Sequence, residues 1–259
     1  MRTFRLVTLV AVLAACSDST SPTPDVNALV DQMTGSGIAS YSTTAMAAAG
    51  VSTGTIPVPS SSSSACAYSA TTQFFDCPPV TSNGLTMTRS FQLLDGSGHP
   101  LATTDPAAVV SIRTVSSLEG TISSPTGLSL PPVTIDRRED ATMSDLRSTT
   151  HVLNGTATQK MTIPLATGTV TSDETSTTTN LLLPEPTPQV HWPLGGTITT
   201  DRTMTVGGGA AVASHDVISF DGTSTMTVKH TSGGHTCTTT IDMSKPTPPV
   251  VFCVISAFP

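Results

Sequence analysis

The sequence has few aromatic and few basic residues, and each shortage excludes a class of protein. Aromatic residues make up 4% of the 259 positions, and 11 Lys and Arg stand against 18 Asp and Glu, for a net charge of -7. Nucleic-acid binders need clusters of Lys and Arg for their phosphate contacts, so that class is excluded. No apolar run reaches the roughly 20 residues of a transmembrane helix. Low charge together with 37% hydrophobic residues argues against a chain that is disordered throughout.

Hydroxyl side chains are what the sequence has in excess, with 48 Thr and 32 Ser. Within residues 85–93, 197–206 and 225–229, Thr and other polar residues alternate with Leu, Met, Ile, Val and Phe. Alternation with a period of two predicts strands that have one buried face and one solvated face. Thr suits the solvated face because its branched Cβ favours an extended backbone while its hydroxyl remains hydrated.

Turn signals separate these alternating stretches. Asn154-Gly155 and Asp221-Gly222 are typical of two-residue type I′ hairpin turns, and Ser232-Gly233-Gly234 indicates another short reversal. We therefore expect an all-β antiparallel meander of about ten strands, arranged as a half-barrel, a sandwich or a barrel. The strands are expected at 85–94, 107–115, 142–153, 156–163, 168–182, 196–206, 212–220, 223–230, 235–243 and 249–256. They would form one domain over residues 84–259.

A short helix is expected before this domain. Val26, Leu29, Val30 and Met33 follow the i, i+3, i+4, i+7 spacing of one apolar helix face. Gly35 then ends the pattern. We assign residues 25–83 to this helix and to a Ser-, Ala- and Thr-rich segment that a disulfide secures.

The N-terminus has the pattern of an export signal. Arg2 and Arg5 precede the ten apolar or small residues 6–15, a stretch of signal-peptide length that is too short to span a bilayer. The last three residues of this stretch and the next residue, Leu13-Ala14-Ala15-Cys16, resemble the lipobox of bacterial lipoproteins. The resemblance implies removal of residues 1–15, a diacylglycerol on the sulfur of Cys16 and a place in the cell envelope.

The residues after the lipobox bear on the compartment. In enterobacterial lipoproteins an Asp after the lipidated Cys favours the inner membrane, so Ser17 favours the outer membrane here. Residues 16–24 are polar and contain Pro, and we interpret them as a tether between the lipid and the folded chain. The expected partner is therefore membrane lipid, bound through acylated Cys16.

The remaining four cysteines fit an exported protein. An even number of Cys in an exported chain is typical of disulfides rather than metal ligands. We predict the pairs Cys66–Cys77 and Cys237–Cys253, the second because these residues face each other if Thr239 faces Val251 in a hairpin.

Few residues suggest a binding or catalytic site. His215, His230 and His235 lie near one predicted turn and are weak candidates for a transition-metal site. Arg89 and Arg202 occupy the apolar register of their strands, where we expect them at the rim of the sheet; the alternative is a buried carboxylate or an anionic ligand. These two are the candidate ligand contacts. The mixed charges of residues 136–140 indicate a solvated loop.

The sequence thus predicts a lipid-anchored envelope protein that binds rather than catalyses. We expect no catalytic residue, no cofactor and no nucleic-acid partner. The first hypothesis is a binding module for an apolar ligand held on the apolar face of a curled sheet. The alternatives are a structural or surface-interaction lipoprotein whose Thr-rich face meets glycan or protein, and a hydrolase whose site is not recognisable.

Overall fold

The structure is a computed structural model, and it describes residues 66–82, 84–102, 107–122, 132–166, 168–184 and 192–244. The predicted helix at 26–33, the lipobox, the 249–256 strand and Cys253 lie outside the described residues. The strands are β1 (Ala67–Tyr68), β2 (Phe75–Ser82), β3 (Leu85–Leu94), β4 (Pro100–Leu101), β5 (Ser111–Ile122), β6 (Val133–Ser144), β7 (Thr150–Leu165), β8 (Gly168–Pro184), β9 (Gly195–Val206), β10 (Val212–Phe220), β11 (Thr225–Ser232) and β12 (His235–Asp242).

All twelve strands belong to one antiparallel sheet. Its order is β1-β2-β3-β5-β6-β7-β8-β9-β10-β11-β12, and β4 pairs with β3 outside this path. Each long strand therefore lies beside its neighbours in sequence, which confirms the predicted all-β meander. The sheet is open, because β1 and β12 stand at opposite ends of the order. No helix that could cross a membrane occurs among the described residues.

One of the predicted hairpins is wrong. Asn154 and Gly155 lie inside the continuous β7, where the register with β8 shifts between Leu153 and Gly155. A Cβ on Gly155 would come 2.8 Å from the Cβ of Ala141, and the Oδ1 of Asn154 accepts a hydrogen bond from the backbone N–H of Asn180 at 2.7 Å. This Asn-Gly pair thus permits a close approach of strands at a bulge rather than a reversal.

Two other turns differ in length. Four residues, 221–224, separate β10 from β11, so Asp221-Gly222 marks a longer loop than the two-residue turn that the sequence suggests. Gly233 and Gly234 do form a two-residue connection, since Ser232 pairs with His235 across it. Both glycines have positive φ, 56° and 81°, as a type I′ turn requires.

The charged stretch at 136–140 is a strand and not a loop. It forms the middle of β6 and pairs with both β5 and β7 at every one of its five positions. The charges are compatible with a strand because they have partners across it or along it: Arg138 lies near Glu119 on β5, and Arg137 near Glu139. The strand expected at 107–115 also begins later, as β5.

The sheet buries apolar side chains in three clusters. The largest has its buried residues on β6 and β8 to β12: Met143, Leu181, Leu183, Ile198, Ile218, Val228 and Ile241. A second surrounds the stacked rings of Phe75 and Phe91, whose centroids are 5.1 Å apart. The third contains Val170 and Met204. Burial of this apolar area is the main favourable term in folding.

A disulfide secures the beginning of the sheet. Cys66 and Cys77 are bonded, with their Cα atoms 4.0 Å apart, as predicted. Because Cys77 belongs to β2, the bond fixes the start of the described chain to the first edge of the sheet. Cys237 is disulfide-bonded too. Its pairing with Cys253 stays a prediction, since Cys253 is not among the described residues.

That first edge is poorly suited to pairing with another strand. β1 pairs with β2 at only two positions, and β2 continues with Pro78-Pro79, where the register with β3 shifts. Pro has no N–H to donate, and a bulge interrupts the hydrogen-bonding row. These features reduce edge-to-edge association.

Candidate functional site on the two faces of the sheet

Side chains divide sharply between the two faces of the sheet. On β9, Ile198, Thr200, Arg202 and Met204 are buried, whereas the intervening Asp201 and Thr203 are exposed. We call the first side the inner face and the other side the outer face. The predicted alternation is therefore confirmed, and most Thr residues of the described strands lie on the outer face.

The inner face is not wholly apolar. A band of polar side chains crosses it from β6 to β11 in two adjacent rows of paired residues. We call it the polar band. It consists of Arg137, Glu139, Gln159, Glu174, Ser176, Thr200, Arg202, Ser214, Asp216 and His230. Along β9 it separates Ile198 of the largest apolar cluster from Met204 of the third.

A buried ion pair lies in the middle of this band. Arg202 on β9 faces Glu174 on β8, and its Nε and Nη2 atoms donate to Oε2 of Glu174 at 3.0 and 2.7 Å. The two side chains are 4% and 10% exposed. Rim placement of Arg202 is therefore wrong, and the buried-carboxylate alternative is correct. A charge can be buried here because the opposite charge directly across the strand pair neutralises it.

A buried histidine and aspartate pair in the adjacent row. His230 on β11 faces Asp216 on β10, and the Nδ1 of His230 lies 2.5 Å from Oδ1 of Asp216. Both side chains are buried. The sequence carried a signal for this pair, because Asp216 lies two residues before buried Ile218 and so shares its face.

The inner face leaves little free space around the band. A cavity of about 30 Å³ lies beside Arg137, Glu139, Ala157 and Ser176. That volume suits one water molecule, which polar groups of this kind could bind. This cavity is too small for a lipid or another apolar ligand.

The outer face carries a larger and more open feature. A trough of about 440 Å³ crosses strands β6 to β10. Its lining includes the outer-face residues Asp136, Arg138, Thr158, Lys160, Asp173, Thr175, Asp201, Thr203 and Ala213, together with Gln159, Glu174, Arg202 and Ser214 of the polar band. We call it the outer trough. No aromatic residue lines it.

The cationic side chains of the outer trough on β6 and β7, Arg138 and Lys160, are exposed and loosely paired. Lys160 lies 3.7 Å from Asp173, and Arg138 lies 3.7 Å from Asp136 and 3.8 Å from Glu119. Exposed pairs of this kind contribute about 1 kcal/mol or less to stability. Their charged atoms therefore remain available to a ligand at little cost to the fold.

A tighter pair flanks the outer trough. Arg113 on β5 donates two hydrogen bonds to Asp140 on β6, at 2.9 and 2.6 Å. These bonds lower the pKa of Asp140, so the carboxylate stays ionised in mildly acidic solution. The Arg113 guanidinium also lies 5.7 Å from the centre of the Phe74 ring.

The three candidate metal ligands do not converge. His215 lies on the outer face, where its Nδ1 is 2.8 Å from Oδ1 of Asp201, whereas His230 points to the inner face from the neighbouring strand. His235 is exposed at the β11–β12 connection. Within the described ranges, no group of three His, Cys, Asp or Glu side chains is arranged to hold a metal ion.

Arg89 and His151 lie outside both the polar band and the outer trough. Arg89 is exposed on the inner face of β3, two residues from buried Phe91. His151, which the sequence does not single out, is buried, and its Nδ1 lies 3.1 Å from the carbonyl oxygen of Asp145. Its Nε2 atom has no hydrogen-bond partner in the part of the chain that the structure describes.

The fold and its two faces define an all-β protein built on one open antiparallel meander. No family model matches the chain, and no curated protein or solved structure matches it either.

We expect the ion pair in the polar band to behave as a buried pair. Arg202→Met leaves the Glu174 carboxylate buried without its partner and should lower the free energy of unfolding by about 3–5 kcal/mol. Replacing both residues, Arg202→Met with Glu174→Met, should recover most of that loss, because neither charge is then buried. Urea unfolding followed by circular dichroism measures both effects.

Lys160→Met is the matched control for this prediction. It removes a Lys from the exposed pair with Asp173, so its cost should stay below about 1 kcal/mol. Equal costs for Arg202→Met and Lys160→Met would contradict the assignment of Arg202 to a buried pair.

Proposed function

We propose that this chain is a lipid-anchored protein of the bacterial cell envelope that acts as a non-catalytic binding module through its outer face. The anchor is the diacylglycerol on Cys16 that the lipobox resemblance implies, and Ser17 favours the outer membrane. The observation that carries the binding role is the outer trough, an open concavity of about 440 Å³ on the Thr-rich face.

The chemistry of the outer trough favours a hydrated, hydroxyl-rich ligand such as a glycan segment. Thr hydroxyls, carboxylates, a guanidinium and an ammonium supply both donors and acceptors for sugar hydroxyls. Protein interfaces rely on buried aromatic and apolar anchors for most of their affinity. The residues of the trough include no such anchor, so a glycan fits it better than a protein partner.

An apolar ligand on the inner face is the less supported alternative. The inner face carries a buried ion pair, Arg202–Glu174, and a buried hydrogen-bonded pair, Asp216–His230, across its centre. An apolar molecule placed over them would have to leave these groups without water, and the cavity beside the band holds about 30 Å³.

A hydrolase is also less supported. Asp216 and His230 are spaced like two members of a catalytic triad, but His230 is 4% exposed. A substrate would reach this ring only if the sheet opened. The exposed pair Asp201–His215 lies on a face where the described hydrogen bonds bring no serine hydroxyl to the His215 ring.

The anchor has a direct test in the native host. Cys16→Ala should move the protein from the membrane fraction to the soluble fraction and abolish incorporation of labelled palmitate, because the acyl chains supply the membrane affinity. Ser17→Ala is the control and should leave both readouts unchanged. Unlabelled wild-type protein in the soluble fraction would contradict the anchor.

The binding role is tested with insoluble glycans. We expect the chain carrying Cys16→Ser to sediment with peptidoglycan sacculi or chitin in 0.15 M salt. Thr175→Arg places a long side chain at the centre of the outer trough and should weaken binding about tenfold or more, equivalent to about 1.4 kcal/mol.

The matched control is Thr240→Arg, which puts the same side chain on β12, away from the outer trough. It should change binding little. Equal weakening by both variants would mean that binding depends on overall charge, and no sedimentation with either glycan would contradict the glycan proposal.

A further inference from the structure

The inner face is covered at one end of β3 and uncovered at the other. Phe91 and Met87 lie four residues apart on the same side of this strand, but Phe91 is 1% exposed and Met87 is 42% exposed. Val80, which pairs with Met87 from β2, is 57% exposed. The described residues contain one other large apolar side chain that is exposed, Val115, and it lies on the outer face.

These side chains belong to a small surface that is partly apolar and partly basic. Met87 is paired on its other side with half-buried Leu118 of β5, and the exposed Arg89 lies two residues further along β3 on the same face. We call Val80, Met87, Leu118 and Arg89 the corner patch. A complementary partner would present a narrow apolar stripe with an acidic group beside it.

The chain itself enters the sheet beside this patch. The described residues begin at Cys66, which is bonded to Cys77, and Cys77 pairs with Arg89. The 49 residues from Ser17 to Ala65 therefore join the sheet within a few residues of Val80 and Met87. A random-coil chain as long as residues 35–65 has a typical end-to-end distance of about 30 Å, which is ample to return to the patch.

That upstream segment contains a matching element. Val26, Leu29, Val30 and Met33 make a narrow apolar stripe at helical spacing. At about 100° per residue, Asp25 falls on the flank of the stripe, next to Leu29, whereas Asp31 falls on the far side of the helix. One carboxylate thus borders the stripe and the other is turned away from it.

The charges of the two parts are also complementary. There is no Lys or Arg between Arg5 and Arg89, so the charged side chains of residues 17–65 are all acidic, whereas the charged member of the corner patch is an arginine.

We propose that residues 25–33 bind the corner patch as an amphipathic helix, with the apolar stripe on Val80 and Met87 and the Asp25 carboxylate near Arg89. Because Arg89 is exposed, its attraction to Asp25 is screened and sets orientation more than affinity. The apolar contact supplies most of the affinity.

Docking would also set the reach of the proposed lipid anchor, a consequence that rests on Cys16 being acylated. With residues 25–33 bound, residues 17–24 are the free tether, at most about 29 Å when fully extended.

Intrachain photo-crosslinking tests the docking independently of the anchor, in residues 16–259 with Cys16→Ser. A benzoylphenylalanine at position 29 lies within the apolar stripe and should crosslink to peptides that contain Val80 or Met87, as identified by mass spectrometry. The same group at position 28 lies on the opposite face of the helix and is the matched control. It should give little crosslinking to those peptides.

Charge reversal sharpens the test. Arg89→Glu should lower the crosslink yield from position 29 by up to about fivefold, the effect of about 1 kcal/mol. Adding Asp25→Arg to this variant should restore the yield. Adding Asp31→Arg instead changes the net charge by the same amount, but on the far side of the helix. It should restore little of the crosslink yield. All three changes are at polar positions, and circular dichroism before crosslinking checks that the fold is retained.

Several results would overturn the proposal. Equal crosslinking from positions 28 and 29, crosslinks that reach other parts of the sheet, or crosslinks that join two molecules would each show that another occupant or none covers the corner patch. An Arg89→Glu variant with unchanged yield, or equal rescue by Asp25→Arg and Asp31→Arg, would remove the electrostatic part of the argument. Loss of membrane attachment alone has no bearing on this result.

Discussion

The contact between Arg202 and Glu174 on the buried side of the sheet is the constraint on which the register of the central strands depends. The two residues face each other across β8 and β9 and are both buried. A shift of one strand by one residue would move every side chain to the opposite face. In this sheet such a slip of β9 would bury Asp201 and expose Ile198 and Met204. The ion pair and the apolar clusters on either side of it therefore specify the same alignment, and a wrong register loses both.

Thr has a structural role that follows from this alignment. Because the inner face takes the apolar residues and the polar band, the outer face must remain soluble while it keeps an extended backbone over twelve strands. Thr meets both needs, and rows such as Thr121–Thr134 also bond to each other through their hydroxyls, at 3.0 Å in this case. The same surface becomes the proposed binding surface because the outer trough forms where β6 to β10 meet and its exposed Arg138 and Lys160 are only loosely paired.

The sequence predicts the class of fold well and its local irregularities poorly. Period-two alternation locates β3, β9 and β11 closely, because apolar and polar residues alternate along each of them. It fails for β6, because the charged residues Arg137 and Glu139 occupy inner positions, where they pair with each other along the strand. It fails at Asn154-Gly155 for a related reason: a bulge and a turn use the same residue types, and the choice depends on how closely Ala141 on the neighbouring strand approaches. Arg202 stands out from the sequence as a basic residue in apolar register, but its partner lies 28 residues away.

The central claim is that β8 has a buried inner side and a solvated outer side, and thiol accessibility along this one strand tests it most directly. Single cysteines at Ser172 and Ser176 on the inner face, and at Thr177 and Thr179 on the outer face, are introduced into the chain with Cys16→Ser and the native disulfides intact. The account predicts that cysteines at 177 and 179 react with a thiol reagent at the rate of an exposed thiol. Those at 172 and 176 should react about a hundredfold more slowly, because labelling then requires local unfolding. Equal rates at all four positions would contradict the account.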